Sequence, residues 1–194
     1  MIYLLGGAPR TGKSLFAAKA NRERGVALIS TDLLRCVLMK ADDGLREAME
    51  AHDRQAEAEA FHPHLRQAVA CARIQLSDAL IEGIGFFPRH VDLLRRELEI
   101  EDLRACFVGR SAATPEELFD HATDHRVYDA LDRERQEAFA AKVVEWSALY
   151  ARECEETGLA YVDFAKAGFS DSLRAVEAAL FGAQSGVSEP AGDG

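Results

Sequence analysis

The chain has 194 residues, of which 48% are hydrophobic, so it can bury a core of its own as one domain. Its 33 acidic residues outnumber 23 basic residues and give a formal charge of −10, which argues against a nucleic acid as partner. No apolar run approaches the ~20 residues that span a bilayer, and an apolar strand already begins at Ile2, so we expect a cytoplasmic protein without a targeting peptide or a membrane partner.

Five short apolar runs predict buried strands, and these runs lie at 2–5, 26–30, 79–83, 104–109 and 159–164. The segments between them are rich in helix formers. The segment 33–78 fits two or three helices, with breaks at 42–44 and at His62–Pro63. Strands that alternate with helices predict an α/β fold, in which a five-stranded parallel sheet carries helices on both faces.

The second half of the chain predicts four helices. They cover 89–98, a segment that begins at Thr114, 129–157 with its end at Gly158, and 170–181 with Ser170 as the N-cap. No linker divides the chain. We therefore expect a single domain over 1–182 and a disordered tail over 183–194.

Residues 7–14 read G-A-P-R-T-G-K-S and match the phosphate-binding pattern G-x-x-x-x-G-K-[ST] directly after the first predicted strand. In this pattern backbone N–H groups surround the phosphates of a nucleoside triphosphate, the lysine contacts the outer phosphates and the serine hydroxyl binds Mg²⁺. The helix that follows favours the same anion through its dipole. The sequence thus predicts a nucleotide site at Gly7, Ala8, Pro9, Arg10, Thr11, Gly12, Lys13, Ser14 and Leu15.

Charged side chains also follow the second and third predicted strands, whose ends meet at one edge of a parallel sheet. Asp32 is a candidate base for a substrate hydroxyl, although it could instead serve only as a helix N-cap. Arg35 and Arg89 are candidates for binding an anionic substrate. Glu82 is expected to bind Mg²⁺ or its water ligands together with Ser14.

An arginine-bearing lid is expected over a transferred phosphoryl group, because negative charge builds up on that group during transfer. The lid is predicted at about 110–135, where Arg126 and Arg133 are the candidate catalytic arginines. Together with Lys13 and Asp32 they complete the predicted catalytic set.

The chain resembles small-molecule kinases of the phosphate-loop superfamily in the loop 7–14 and in the segments 30–35, 61–63 and 80–83. It is most similar to 2-phosphoglycerate kinases and more distantly similar to chloramphenicol phosphotransferase and zeta toxins, over roughly residues 2–182. The resemblance implies an adenylate-kinase-like fold, ATP and Mg²⁺ as cofactors, and transfer of the γ-phosphoryl group to a hydroxyl of a small, anionic metabolite. It also implies that Asp32 is the base.

The resemblance further implies that 33–78 form a helical region on the substrate side and that 165–169 contact the adenine base. One position departs from the family. Leu15 stands where many relatives have a threonine whose hydroxyl faces a phosphate.

Two other functions fit the same phosphate loop. One is a nucleotide-dependent switch or ATPase that binds a protein partner through 33–78, and the other is a kinase of nucleosides, nucleotides or nucleic-acid ends. The grouping of Asp32, Arg35 and Glu82 beside the loop favours a pocket for a small acceptor instead. A monomer and a homodimer are both compatible with the sequence.

Overall fold

A computed structural model of the chain describes residues 1–119 and 131–182. Its centre is one sheet of five parallel strands in the spatial order β2-β3-β1-β4-β5. This sheet confirms the predicted α/β class. The strands are β1 (Ile2–Gly7), β2 (Ala27–Ser30), β3 (Ala79–Glu82), β4 (Leu103–Gly109) and β5 (Ala160–Asp163).

The helices connect the strands and cover both faces of the sheet. In the described residues they are α1 (Lys13–Arg24), α2 (Thr31–Leu38), α3 (Asp43–Glu50), α4 (Arg54–Gln75), α5 (Pro88–Leu98), α6 (Pro115–Phe119), α7 (Arg133–Thr157) and α8 (Phe169–Phe181). None of these described helices is long and apolar enough to cross a bilayer.

The sheet separates two hydrophobic cores. Helices α4, α5 and α7 cover the larger one, where Tyr150 stacks on Phe87 and Phe107 with ring centroids 4.9 and 5.7 Å apart. Helices α1 and α8 cover the other face through Phe16 and Leu180, among others. Burial on both faces explains why the strands are nearly continuous apolar runs.

The register of the sheet brings several strand ends to one level. Ser30 lies opposite Glu82, and Glu82 lies opposite Leu5. Gly7 ends β1 with a φ of 129°, and a Cβ at this position would overlap the carbonyl of Val108 in β4. Only glycine therefore allows β1 and β4 to stay this close where the chain leaves the sheet.

Helix α4 corrects the predicted break at His62–Pro63, because it runs without interruption from Arg54 to Gln75 with Pro63 inside it. Proline usually ends a helix, since it has no N–H group and its ring crowds the preceding turn. Here the opposite side of the helix buries Phe61, Leu65 and Val69 completely, and this packing outweighs the local preference.

The start of α8 differs from the prediction as well. The helix begins at Phe169, its N-cap is Gly168, and no side chain caps it. Ser170 therefore lies inside the first turn and is not the N-cap. A break near the predicted 42–44 is present but ends earlier, because α2 ends at Leu38 and α3 begins at Asp43. Asp42 caps α3 by accepting a hydrogen bond from the Leu45 N–H at 2.9 Å.

Replacing Pro63 with alanine is expected to stabilise the protein. Alanine restores a helical hydrogen bond on the exposed side of α4, and this gain exceeds the entropy that proline removes from the unfolded chain, for a net of about 1–2 kcal/mol. Urea unfolding measures the change. Gln67→Ala, one turn further along α4, is the control and should alter stability by less than about 0.5 kcal/mol. A less stable Pro63→Ala protein would contradict the explanation given for α4.

Candidate active site

The loop between β1 and α1 turns tightly before the helix begins. Arg10 and Gly12 have positive φ angles of 59° and 81°, which turn the chain tightly before the helix begins at Lys13. Gly12 is the N-cap of α1 and provides no side-chain cap. The first N–H groups of α1 are therefore available to an anion, which the helix dipole also favours.

Lys13 lies inside this loop and is only 6% exposed. Its Nζ donates a hydrogen bond to the carbonyl of Ala8 at 2.6 Å, and Thr11 Oγ1 donates to the same carbonyl at 2.8 Å. Burial lowers the pKa of Lys13 to about 8, although the negative charges of Asp32 and Glu82 act in the opposite direction. A further anion close to Lys13, such as a phosphate, would raise the pKa of Lys13 toward its usual value.

Ser14 and Glu82 form the part of the site that fits a magnesium ion. Ser14 Oγ donates a hydrogen bond to Glu82 Oε2 at 3.3 Å. Glu82 is 3% exposed, and its pKa is raised chiefly by burial, with Lys13 opposing that effect. A hydroxyl and a carboxylate oxygen are hard ligands of the kind that Mg²⁺ prefers. These two residues could therefore hold the ion at the end of β3.

Asp32 lies in the first turn of α2, and its side chain is about half exposed (48%). Its Oδ1 accepts hydrogen bonds from the Ile84 N–H at 3.1 Å and from Arg35 Nη1 at 3.3 Å. The N-cap of α2 is Ser30, whose Oγ accepts from the Leu33 N–H. The alternative in which Asp32 serves only as a helix cap is therefore wrong, and its carboxylate lies over the segment that follows β3.

Gly83 permits this close approach between Asp32 and the segment after β3. It has a φ of 140°, and a Cβ at this position would contact Asp32 Oδ1 at 2.9 Å and overlap Thr31 Oγ1. Any larger residue would thus displace the Asp32 carboxylate or the chain beside it.

Arg35 is 7% exposed and forms a buried cluster with two residues of α4. Glu57 pairs with Arg35 and also accepts a hydrogen bond from Arg54 Nη1 at 2.5 Å. Arg54 Nη2 donates to the carbonyl of Ile84. Burial lowers the pKa of Arg35 to about 10, and the positive charge of Arg54 adds to this effect.

The sequence interpretation missed Arg54 and Glu57. The available signal was Asp53, a typical N-cap residue, followed by an arginine and a glutamate three positions apart on one helical face. That pattern also occurs on many solvated helices, and only the packing of α4 against the sheet shows that these charges are buried.

The other predicted site residues lie away from this cluster or outside the residues that the structure describes. Arg89 begins α5 and pairs with Glu59 at 2.9 Å and with Glu153. Arg133 begins α7, is 60% exposed, and pairs with Glu116 and with Glu137. Arg126 belongs to 120–130, outside the described residues, as do part of the predicted lid and the tail at 183–194.

Two loop residues differ in exposure. The Leu15 side chain at the start of α1 is 55% exposed, whereas Ala8 is completely buried.

The predicted adenine contact, 165–169, follows β5, and its exposed Phe169 (43%) packs edge-on against Phe164 with the ring centroids 5.7 Å apart. A Cβ on Gly12 would contact the Phe169 ring at 2.9 Å, so this segment lies directly beside the phosphate loop.

Comparison of the sequence with protein-family models and with curated proteins gives no match. Comparison with solved structures does. A gluconokinase from Sinorhizobium meliloti 1021 has a TM-score of 0.51 at 17% identity, over 92% of this chain and 90% of that one. A shikimate kinase from Bacteroides thetaiotaomicron has a TM-score of 0.53 at 12% identity, over 91% of this chain and 96% of that one.

A shikimate kinase from Acinetobacter baumannii, in complex with shikimate, has a TM-score of 0.54 at 11% identity, over 91% of this chain and 90% of that one. At such low identity, structural similarity establishes the fold and leaves the activity open. The chain has the fold of these solved kinases, with the loop 7–14 and the Asp32–Arg35 pair at the same edge of its sheet.

Proposed function

We propose that this protein is an ATP-dependent phosphotransferase that moves the γ-phosphoryl group to a hydroxyl of a small, anionic metabolite. One observation carries the proposal. The Asp32 carboxylate, held by the Ile84 N–H and by Arg35, is close enough to the phosphate loop for its negative charge to oppose the lowering of the Lys13 pKa by burial. A base beside the phosphate loop suits transfer to an acceptor hydroxyl.

The residues of the phosphate loop, 7–15, would bind the phosphates of ATP through their N–H groups and Lys13. Ser14 and Glu82 would hold Mg²⁺, since both oxygens already lie 3.3 Å apart beside Lys13. When bound, Mg²⁺ neutralises charge on the phosphate oxygens. Within the chain itself, Lys13 and the start of α1 provide the fixed positive field toward the outer phosphates.

Asp32 would orient the acceptor hydroxyl and accept its proton. The acceptor oxygen bonds to the γ-phosphorus, the bond from that phosphorus to the bridging oxygen of ADP breaks, and the hydroxyl proton passes to the Asp32 carboxylate. Arg35 and Arg54 would bind the anionic part of the acceptor, because both lie beside Asp32 and Ile84. Half-exposed Asp32 is accessible to such an acceptor.

Arg126 and Arg133 remain proposed lid residues, within a lid at about 110–135. Arg89 remains a proposed substrate residue that would have to leave its ion pairs with Glu59 and Glu153. The region 33–78 supplies the acceptor side of the site through Arg35 and Arg54. A cytoplasmic monomer or homodimer that acts on a small molecule, and not on nucleic acid, completes the proposal.

Two classes of acceptor are supported. The structural neighbours are a gluconokinase and two shikimate kinases, which supports a hydroxy acid. The sequence resemblance to 2-phosphoglycerate kinases supports a phosphorylated hydroxy acid.

Lys13→Ala is expected to reduce ATP turnover by more than about 100-fold, because it removes the buried cation that faces the transferred charge. ADP formation in the presence of a pool of hydroxy metabolites measures the effect. Lys19→Ala is the matched control, since Lys19 lies on the same helix and forms surface ion pairs with Glu23 and Glu177. Turnover by a folded Lys13→Ala protein at the wild-type rate would rule out the proposed site.

Asp32→Asn is expected to leave ATP binding unchanged and to slow transfer by about 10²–10⁴-fold, the usual contribution of a general base. The amide oxygen can still accept the hydrogen bond from Ile84, so the local fold is kept. Mass spectrometry of phosphorylated products and calorimetric titration with ATP separate the two effects. Asp43→Asn, at a carboxylate that is 80% exposed, is the control. Equal transfer rates would exclude Asp32 as the base.

ATP affinity is expected to decrease as the pH rises above 8, because Lys13 has a pKa of about 8 in the free protein. The phosphates favour its charged form, so binding above this pH takes up a proton and weakens by up to about tenfold per pH unit. Titration calorimetry from about pH 7 to about pH 9.5, in buffers of different ionisation enthalpy, measures both quantities. Proton release on binding, or an affinity that does not change over this range, would contradict the burial of a charged Lys13.

A further inference from the structure

Arg35, Arg54 and Glu57 form a largely buried ionic cluster beside the proposed acceptor position. Their side chains are 7%, 12% and 6% exposed. Three charges this well shielded from water interact strongly with one another and with any ligand that reaches them. The cluster therefore determines how much additional charge the pocket accepts.

The carboxylate of Glu57 is shared between the two guanidinium groups. One of its oxygens, Oε2, accepts from Arg54 Nη1 at 2.5 Å, and Oε1 pairs with Arg35 Nη2. Each guanidinium group also has one contact beside the acceptor position. Arg35 Nη1 donates to Asp32 Oδ1 at 3.3 Å, and Arg54 Nη2 donates to the Ile84 carbonyl.

The cluster has little positive charge left for an acceptor. Two guanidinium groups face the carboxylates of Glu57 and Asp32, so these four side chains have no net formal charge. An acceptor with a single carboxylate can still form an ion pair with Arg35 or Arg54, in addition to the pairs that these residues form with Glu57. A phosphate ester carries a charge of about −1.5 to −2 at neutral pH. It would place this additional negative charge next to Glu57 and Asp32 in a poorly solvated site.

We propose that Glu57 limits the acceptor to hydroxy compounds with at most one negative charge, such as hydroxy-carboxylates, and thereby excludes phosphorylated hydroxy acids. The proposal rests on the function proposed above and selects between its two acceptor classes. Glu57 acts through Arg35 and Arg54, so it is a positioning residue that sets specificity without touching the reacting atoms. Tyr150 supports the arrangement, since its buried hydroxyl accepts a hydrogen bond from the Arg54 guanidinium.

The test compares two probes that differ by one phosphate group, D-glycerate and 2-phospho-D-glycerate. Their affinities are measured by calorimetry with ADP and Mg²⁺ present, so that the phosphate loop is occupied. Wild-type protein should prefer D-glycerate by at least about tenfold. Glu57→Gln keeps the volume but removes the charge, and it should shift the affinity ratio toward the phosphorylated probe by at least about tenfold.

Two further variants separate charge from structure. Glu57→Asp restores the charge and should return the ratio toward the wild-type value, whereas Glu47→Gln, at an exposed residue of α3, should not move it. Thermal unfolding shows whether Glu57→Gln is folded, because loss of one partner from a buried ion pair destabilises a protein. If that variant does not fold, the wild-type protein decides the question: a preference for D-glycerate supports the proposal, and the absence of that preference overturns it.

An unchanged ratio in folded Glu57→Gln would overturn the proposal. So would a wild-type preference for the phosphorylated probe, or binding of neither probe to any of the proteins. These outcomes are distinct from failure of the proposed function. Failure of that function would appear as ATP hydrolysis without any phosphorylated metabolite while the affinity ratio still shifts. Conversely, a phosphorylated product together with an unchanged ratio would remove only the role of Glu57.

Discussion

Four charged side chains buried at the carboxyl edge of the sheet impose the constraint on which the rest of this site depends. Lys13, Arg35, Glu57 and Glu82 are each less than one tenth exposed. An isolated ion in such a position costs several kcal/mol, so each one needs a partner with good geometry. The structure supplies these partners from three different elements, namely the phosphate loop, α2 and α4.

This constraint gives the site its chemical character. Phosphoryl transfer requires positive charge that is already in place when the transition state forms, because groups that must reorient at that moment contribute less. Lys13 is held by the Ala8 carbonyl and Arg35 by Glu57 and Asp32 before any ligand binds. Gly83 contributes by letting the chain after β3 approach Asp32, and Gly7 lets β1 stay close to β4.

Much of this arrangement follows from the sequence, because it depends on local patterns and on a simple topology. The apolar runs define the strands, the phosphate loop has a specific motif, and parallel strands necessarily bring Asp32 and Glu82 to one edge. The cluster of Arg54 and Glu57 does not follow in this way, because it depends on how α4 packs. The same packing keeps Pro63 inside a continuous helix, against the local preference of proline.

In the proposed reaction the γ-phosphoryl group passes to a metabolite hydroxyl instead of to water. To distinguish the two, the wild-type protein is incubated with Mg²⁺, a pool of hydroxy metabolites and ATP that carries a heavy oxygen isotope in its γ-phosphoryl group, and the products are identified by mass spectrometry. We expect the isotope in a phosphorylated metabolite, in an amount equal to the ADP formed. Isotope found only in inorganic phosphate, with every metabolite unmodified, would contradict the proposed reaction.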